Sequence, residues 1–426
     1  MAFRLPLAFA CAILAASPAF SETVDVRAGR LIDPDTGQVS IDQRIRIVDG
    51  KISSVAPWAA DTPAAKVVDW SGLTVLPGLI DMHTHVADGY PSSSDPAEPL
   101  KHSEAQTVLK GAEAARTMLR AGFTTVRDVG VYRGLTDVAL RDAVAAGWVE
   151  GPRMFVAGGY ITIPGGGGAV TGMAPDVPLP MDFRVGEVRN PDDARDRARY
   201  LLQSGADFIK LIATGAVLTL GSVPGALELS PEEMKAACDE AKMRDSYCIA
   251  HAHGAEGIKA AIRAGARTIE HASYLDAEGI ALARQHNVWL DMDIYNGEWF
   301  REVGTKEGWP AEYLRKGEET TEVQRRGFAA AVKAGAKMTF GTDAAVYPYG
   351  LGGRQFAFMV RYGMSPLQAV RSATTEAAKA LRKEGELGTL RAGAWGDLIA
   401  VRSDPLSDVR ALERVEAVIK GGELVR

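Results

Sequence analysis

Gly78-Leu79-Ile80-Asp81-Met82-His83-Thr84-His85-Val86 opens as a buried apolar strand and ends with two histidines one residue apart. Side chains alternate along a strand, so His83 and His85 point to one side and can grip a single metal ion. Histidines at strand ends also serve as ordinary hydrogen-bonding groups, and the pair alone does not choose between these roles. Later parts of the chain repeat the arrangement. His251 and His253 close Ala250-His251-Ala252-His253-Gly254 with the same period of two, His271 ends Ile269-Glu270-His271, and Asp343 ends Phe340-Gly341-Thr342-Asp343. Five of the seven histidines thus fall at strand ends, where a barrel of parallel strands carries its active site.

Working outward, apolar strands alternate with amphipathic helices, the pattern of parallel β/α units. Eight strands are expected, around residues 78–86, 124–129, 153–157, 208–213, 247–253, 268–271, 288–293 and 338–343. Helices are expected over residues 103–120, 191–204, 231–244, 255–264 and 320–334, several followed by glycine as at Ser204-Gly205 and Ala264-Gly265, the usual helix C-terminal cap. Residues 24–75 and the segment after Asp397 read instead as short strands joined by turns such as Asp49-Gly50 and Gly421-Gly422. The expected architecture is α/β: a (β/α)8 TIM barrel over residues 78–384, with a small β-sandwich formed by both chain ends, 22–77 and 385–426.

Apolar residues make up 46% and charged residues 24% of the chain, as in ordinary globular proteins. Residues 1–21 carry Arg4, an apolar run from Leu5 to Ala16 and the small-residue site Ala19-Phe20-Ser21, the order of a secretory signal peptide cleaved after Ser21. A periplasmic or secreted protein is expected. The run is too short for a membrane span, and no other stretch reaches the roughly 18 apolar residues that one needs. The net charge is −6 with no basic run, which argues against a nucleic-acid partner. Beyond the leader only Cys238 and Cys248 remain, too few for a disulfide framework, so the core and bound metals are expected to carry stability. A homo-oligomer acting on a small molecule or dipeptide is expected.

Lys210 interrupts the apolar strand Phe208-Ile209-Lys210-Leu211-Ile212. A buried lysine needs a partner or loses its charge. It reads either as half of a salt bridge or as a neutral amine able to take up carbon dioxide as a carbamate.

With His83, His85, Lys210, His251, His271 and Asp343 in this order, and with Gly393-Ala394-Trp395-Gly396-Asp397-Leu398-Ile399-Ala400-Val401 near the end, the chain resembles the amidohydrolase superfamily over nearly all its length beyond the leader. The resemblance implies two divalent metal ions, with zinc preferred. One would be held by His83, His85, the Lys210 carbamate and Asp343, the other by the carbamate, His251 and His271. It also implies attack by metal-activated hydroxide, with Asp343 as the catalytic acid–base. His253 is left over, and is expected to bind the oxyanion or a substrate carboxylate; an exchange of roles between His251 and His253 stays open.

The phrases Ala213-Thr214-Gly215, Gly341-Thr342-Asp343-Ala344 and Tyr362-Gly363-Met364-Ser365-Pro366 look like the branch holding Xaa-Pro, Xaa-Arg and Xaa-Lys dipeptidases and enzymes that cut the amide of ochratoxin A, releasing phenylalanine. Release of a C-terminal amino acid is therefore implied. Three stretches depart from the dipeptidase pattern. Leu229 stands where an aromatic is expected, Gly165-Gly166-Gly167-Gly168 lacks the histidine that follows Thr-Gly-Gly, and Tyr347-Pro348-Tyr349-Gly350 replaces Pro-His-Gly. A roomier, more aromatic pocket is expected, lined by Leu229, Tyr160, Tyr347 and Tyr349 with Gly167 on a flexible lip, although loop tyrosines also serve simple packing. Asp88 is expected near the opening, where it tunes substrate entry or is merely solvated. A cyclic-amide or lactone hydrolase would use the same metals, whereas a non-catalytic barrel would not need every ligand position filled.

Overall fold

The structure, a computed structural model, describes residues 23–59, 66–88, 94–174 and 176–426. The leader reading of residues 1–21 lies outside the described residues. Strands β1 (Thr23–Ile32), β2 (Val39–Val48), β3 (Lys51–Pro57) and β4 (Lys66–Pro77) open the described chain. A three-stranded parallel sheet follows, made of β5 (Leu79–Thr84), β6 (Phe123–Asp128) and β7 (Arg153–Val156). A six-stranded parallel sheet then runs through β8 (Tyr160–Ile161), β9 (Ile209–Ile212), β10 (Cys248–Ala252), β11 (Thr268–His271), β12 (Trp289–Asp291) and β13 (Met338–Thr339), neighbours in sequence being neighbours in space. Met82 N donates to Phe340 O at 2.8 Å and His85 N to Ala344 O at 2.9 Å, joining β5 to the segment after β13. The last strands, β14 (Leu398–Val401), β15 (Ala417–Lys420) and β16 (Glu423–Leu424), return to the first ones in a single seven-stranded sheet, ordered β16-β15-β14-β4-β1-β2-β3. The two ends do meet, and the site-bearing strands are separate from them.

The connecting helices are α1 (Glu104–Arg120), α2 (Thr136–Ala145), α3 (Pro191–Gln203), α4 (Pro231–Met243), α5 (Ala255–Ala264), α6 (Ala277–Gln285), α7 (Asn296–Trp299) and α8 (Ala311–Lys333). Their starts follow local chemistry. Ser103 and Ser230 form capping boxes with Gln106 and Glu233, satisfying backbone N–H groups that have no helical partner. Gly265, with φ 106°, ends α5 in the left-handed region that an L side chain rarely adopts. Ile258 and Ile262 on α5 are buried, each burial stabilising by about 1.5–3 kcal/mol.

Four expectations need correction. α8 begins at Ala311 rather than at residue 320; Gly317 within it looks like a helix breaker, yet a Cβ there would meet Phe300 at 2.5 Å, so the glycine serves close packing. Tyr160–Ile161, read as loop, forms β8 beside Lys210 and Leu211. β13 ends at Thr339, leaving Asp343 beyond the strand with φ 57°. Cys238 of α4 and Cys248 of β10 form a disulfide.

Candidate functional site

His83, His251, His253, His271 and Lys210 are buried, and with His85 and Asp343 they line one cavity of about 900 Å³ including its open mouth. The strand ends bring the rings together: centroids lie 4.8 Å apart for His83 and His271, and 4.6 Å apart for His251 with both His253 and His271. Asp343 Oδ1 lies 3.4 Å from His83 Nε2 and 3.2 Å from His85 Nε2.

Each imidazole is clamped by one nitrogen. His83 Nδ1 meets Glu270 Oε2 at 3.0 Å, His271 Nδ1 meets Asp293 Oδ1 at 3.0 Å, and His253 Nδ1 meets Ser273 Oγ at 2.7 Å. His85 Nδ1 and His251 Nε2 point at the carbonyls of Gly130 and Gly215, at 2.8 and 3.1 Å. A carbonyl only accepts, so these two nitrogens donate, and in the neutral ring the remaining nitrogen carries a lone pair. Ligating histidines are held in this way, their second nitrogen fixing the tautomer and ring direction. His83 Nε2 is buried with no hydrogen-bond partner. Such an atom is costly unless something binds it, and a cation fits. The donor atoms of His251, His253 and His271, and likewise those of His83, His271 and Asp343, lie within 4.8 Å of one another.

Burial pushes the His83, His251 and His253 pKa values well below the ordinary range, leaving neutral rings suited to ligation. Lys210 is lowered to about 8 by burial, partly offset by the nearby carboxylates Glu270 and Asp343. For Asp343, burial is outweighed by His85 and His271, and its carboxyl lies below its usual value. His271 and Asp343 adopt φ 65° and 57°, uncommon for residues other than glycine.

The wall of the cavity combines loop with residues of α7 and α8, among them Asn296 and Gln324. Ala216 to Thr219 form one stretch of it and Gly167 and Gly168 another. Lys316 on α8, 2% exposed, donates to Thr219 O at 2.6 Å and pairs with Glu312 at 2.6 Å, whose carboxylate also accepts Gly221 N. Glu228 accepts Gly167 N at 2.7 Å and Ser222 Oγ at 2.9 Å, while Thr219 Oγ1 donates to Gly167 O. The expected flexible lip is therefore tied at both polar groups of Gly167. Its glycines allow close packing, since a Cβ on Gly168 would meet Ile212 and Tyr160 at 2.9 Å.

Tyr160, Asp88 and Gly167 do line the cavity. Asp88 is half-buried and accepts Tyr132 N at 3.1 Å, and desolvation raises its carboxyl to about 7. Leu229, Tyr347 and Tyr349 are not among the described lining residues. Leu229 is fully buried in the main apolar core. Tyr347 packs against Tyr295 and Trp299, and the Tyr349 hydroxyl braces His85 O from behind. Sequence reasoning missed Glu270, Asp293, Asn296, Ser273 and Lys316. The signal for the first two was there: charged residues inside or closing apolar strands, in Thr268-Ile269-Glu270-His271 and Leu290-Asp291-Met292-Asp293. Among the described lining residues there is no arginine, and Lys210 is the only lysine.

The model of a family described as the amidohydrolase family matches residues 74–425. The chain is 30% identical to an ochratoxinase of Aspergillus niger over 369 residues, covering 83% of this chain and 75% of that protein. The crystal structure of a Xaa-Pro dipeptidase with bound methionine in the active site superposes with a TM-score of 0.88 at 35% identity, covering 94% of this chain and 99% of that one. The crystal structure of the A. niger ochratoxinase gives a TM-score of 0.83 at 27% identity, covering 95% of each chain.

Proposed function

The chain belongs to the amidohydrolase family and is a hydrolase acting on amide bonds; from that premise we propose that it uses two divalent metal ions, preferably zinc, to release a C-terminal amino acid from a dipeptide or N-acyl amino acid. The observation that carries this is the clamped set of five imidazoles, whose free nitrogens share one cavity with Asp343. His83, His85, Asp343 and Lys210 as its carbamate would hold one ion, and the carbamate, His251 and His271 the other. The Lys210 amine would add to carbon dioxide with loss of a proton, a reaction favoured by its lowered pKa. Two cations there supply Lewis acidity and a water acidic enough to lose its proton near neutral pH.

The chain's own residues do the rest. Asp343 Oδ1 lies beside His83 and His85, while Oδ2 lies 3.3 Å from Asn296 Nδ2. The carboxylate can therefore take a proton from water and hand it to the leaving nitrogen. His253, fixed by Ser273, would receive the oxyanion or the substrate carboxylate. With no arginine among the described lining residues, that carboxylate would meet neutral donors. Names of the similar proteins support the reaction class: one is an ochratoxinase, the other a Xaa-Pro dipeptidase. The same reading takes the two parallel sheets as one closed (β/α)8 barrel over residues 78–384, with β7 and β8, which no helix separates, counted as a single barrel strand, and is supported by the β5 contacts to Phe340 and Ala344. It takes the seven-stranded sheet as a sandwich of both ends, and residues 1–21 as an export leader.

Metal analysis should find close to two divalent ions per chain, and Asp343→Asn should keep the fold while kcat falls on the order of 10³-fold or more. N-acyl-phenylalanine should be cut with a higher kcat/KM than its carboxamide. Full activity in the metal-free protein would sink the mechanism, and equal rates on acid and carboxamide would remove the carboxypeptidase reading.

A further inference from the structure

We propose that Asn296 receives an N–H on the leaving side of the scissile bond, which makes secondary amides, rather than the tertiary amides of proline-type substrates, the substrate class of this cavity. The proposal rests on the amide-hydrolase reading above. Asn296 opens α7, lines the cavity and is 5% exposed. Its Nδ2 donates to two carboxylates, Asp293 Oδ2 and, at 3.3 Å, Asp343 Oδ2. Ionised carboxylates accept and do not donate, so the carboxamide has one orientation: flipping it would set its oxygen against two others. Asp293 is itself fixed by His271 Nδ1 at 3.0 Å and by Gln324 Nε2 at 3.1 Å.

That orientation commits Oδ1 to be an acceptor, and Oδ1 is buried with no hydrogen-bond partner in the protein. A buried unpaired acceptor is expensive, and a ligand that supplies a donor removes the penalty. Because Oδ1 and Nδ2 share one planar group and Nδ2 lies 3.3 Å from Asp343 Oδ2, the bare acceptor belongs to the same group that donates to the carboxylate expected to protonate the leaving nitrogen. A secondary amide nitrogen can satisfy both. As the C–N bond breaks, the nitrogen lone pair takes the proton brought from water by Asp343, while its own N–H stays hydrogen-bonded to Asn296 Oδ1. A tertiary amide nitrogen has no hydrogen to offer, and an ester oxygen would present a lone pair to Oδ1.

The test is equilibrium binding of three uncleavable phosphonyl analogues of N-acyl-phenylalanine to the metal-replete protein, differing only in the linking group: P–NH, P–O or P–CH2. The P–NH compound should bind about 100-fold more tightly than P–O, with P–CH2 between. In Asn296→Ala the gap should shrink to a few-fold. In turnover, the kcat/KM ratio of N-acyl-phenylalanine to N-acyl-proline should fall by about 10-fold or more in the same variant. Equal binding of P–NH and P–O to the wild-type protein overturns the proposal, as does an unchanged gap or ratio in Asn296→Ala, which would mean that the residue only holds Asp293 and Asp343 in place. Either result leaves the amide-hydrolase reading standing. If none of the analogues binds and no N-acyl amino acid is cut, that reading fails and the proposal falls with it.

Discussion

On the floor of the cavity, five imidazoles stand at or beside strand ends and each is clamped by a partner on its far nitrogen. Along the wall, Ala216 to Thr219 belong to a loop held by Lys316 reaching across from α8 and by Ser222 and Glu228. The floor takes its geometry from backbone ladders, which leave little freedom. The wall takes its geometry from long polar side chains, which substitution can retune. Chemistry and substrate range therefore rest on different parts of the molecule and should be separable by mutation.

The largest effect is expected on the floor. Lys210→Ala removes the amine whose carbamate would help hold both ions, so bound metal should drop and activity should fall by several orders of magnitude. A short carboxylic acid, standing in for the carbamate, should restore part of both. Metal content unchanged by the substitution would show that Lys210 plays no part in holding the ions. Lys316→Met is the corresponding break in the wall. It removes a buried ammonium and leaves Thr219 O and Glu312 without it, which should cost about 1–3 kcal/mol of stability. KM for N-acyl-phenylalanine should rise roughly 10-fold with kcat within a few-fold. A fall in kcat at constant KM would instead tie the wall to the chemical step.

A smaller effect sharpens the comparison from outside both regions. Asp137 on α2 accepts Val138 N and Gly158 N, and burial raises its carboxyl to about 6. The folded protein thus keeps a proton there that the unfolded chain releases near its ordinary value of 3.8. The contribution is fully favourable below that value and is lost as pH rises through about 6, a swing on the order of 3 kcal/mol. Asp137→Asn is neutral throughout, so its Tm relative to wild type should climb by a few degrees between about pH 4 and 6.5. Parallel curves would show that Asp137 does not titrate in this window.

Regular backbone explains how much the sequence disclosed. His83 with His85 and His251 with His253 could be paired by the two-residue period of a strand, and the structure gathers them with Lys210, His271 and Asp343 in one cavity. α5 and β11 have the boundaries that their apolar periodicity and flanking residues indicate. No period governs a loop. Leu229 follows Glu228, whose carboxylate is drawn to Gly167 and Ser222 while the leucine turns into the core. Tyr347 and Tyr349 likewise pack behind the site, where tertiary neighbours rather than chain spacing set their direction. Asn296 carries no motif, and its meaning came only when Asp343, from elsewhere in the chain, arrived beside it and its near neighbour Asp293.

His271 and Asp343 sit in left-handed backbone, a conformation that costs on the order of 1–3 kcal/mol for such residues and persists only where the surroundings enforce it. Glycine would relax both positions, and asparagine would sit more easily at the second. Selection for hardiness and selection for catalysis therefore pull in opposite directions at these two sites. A library screened for heat resistance alone would drift toward glycine or asparagine at positions 271 and 343 and away from its chemistry.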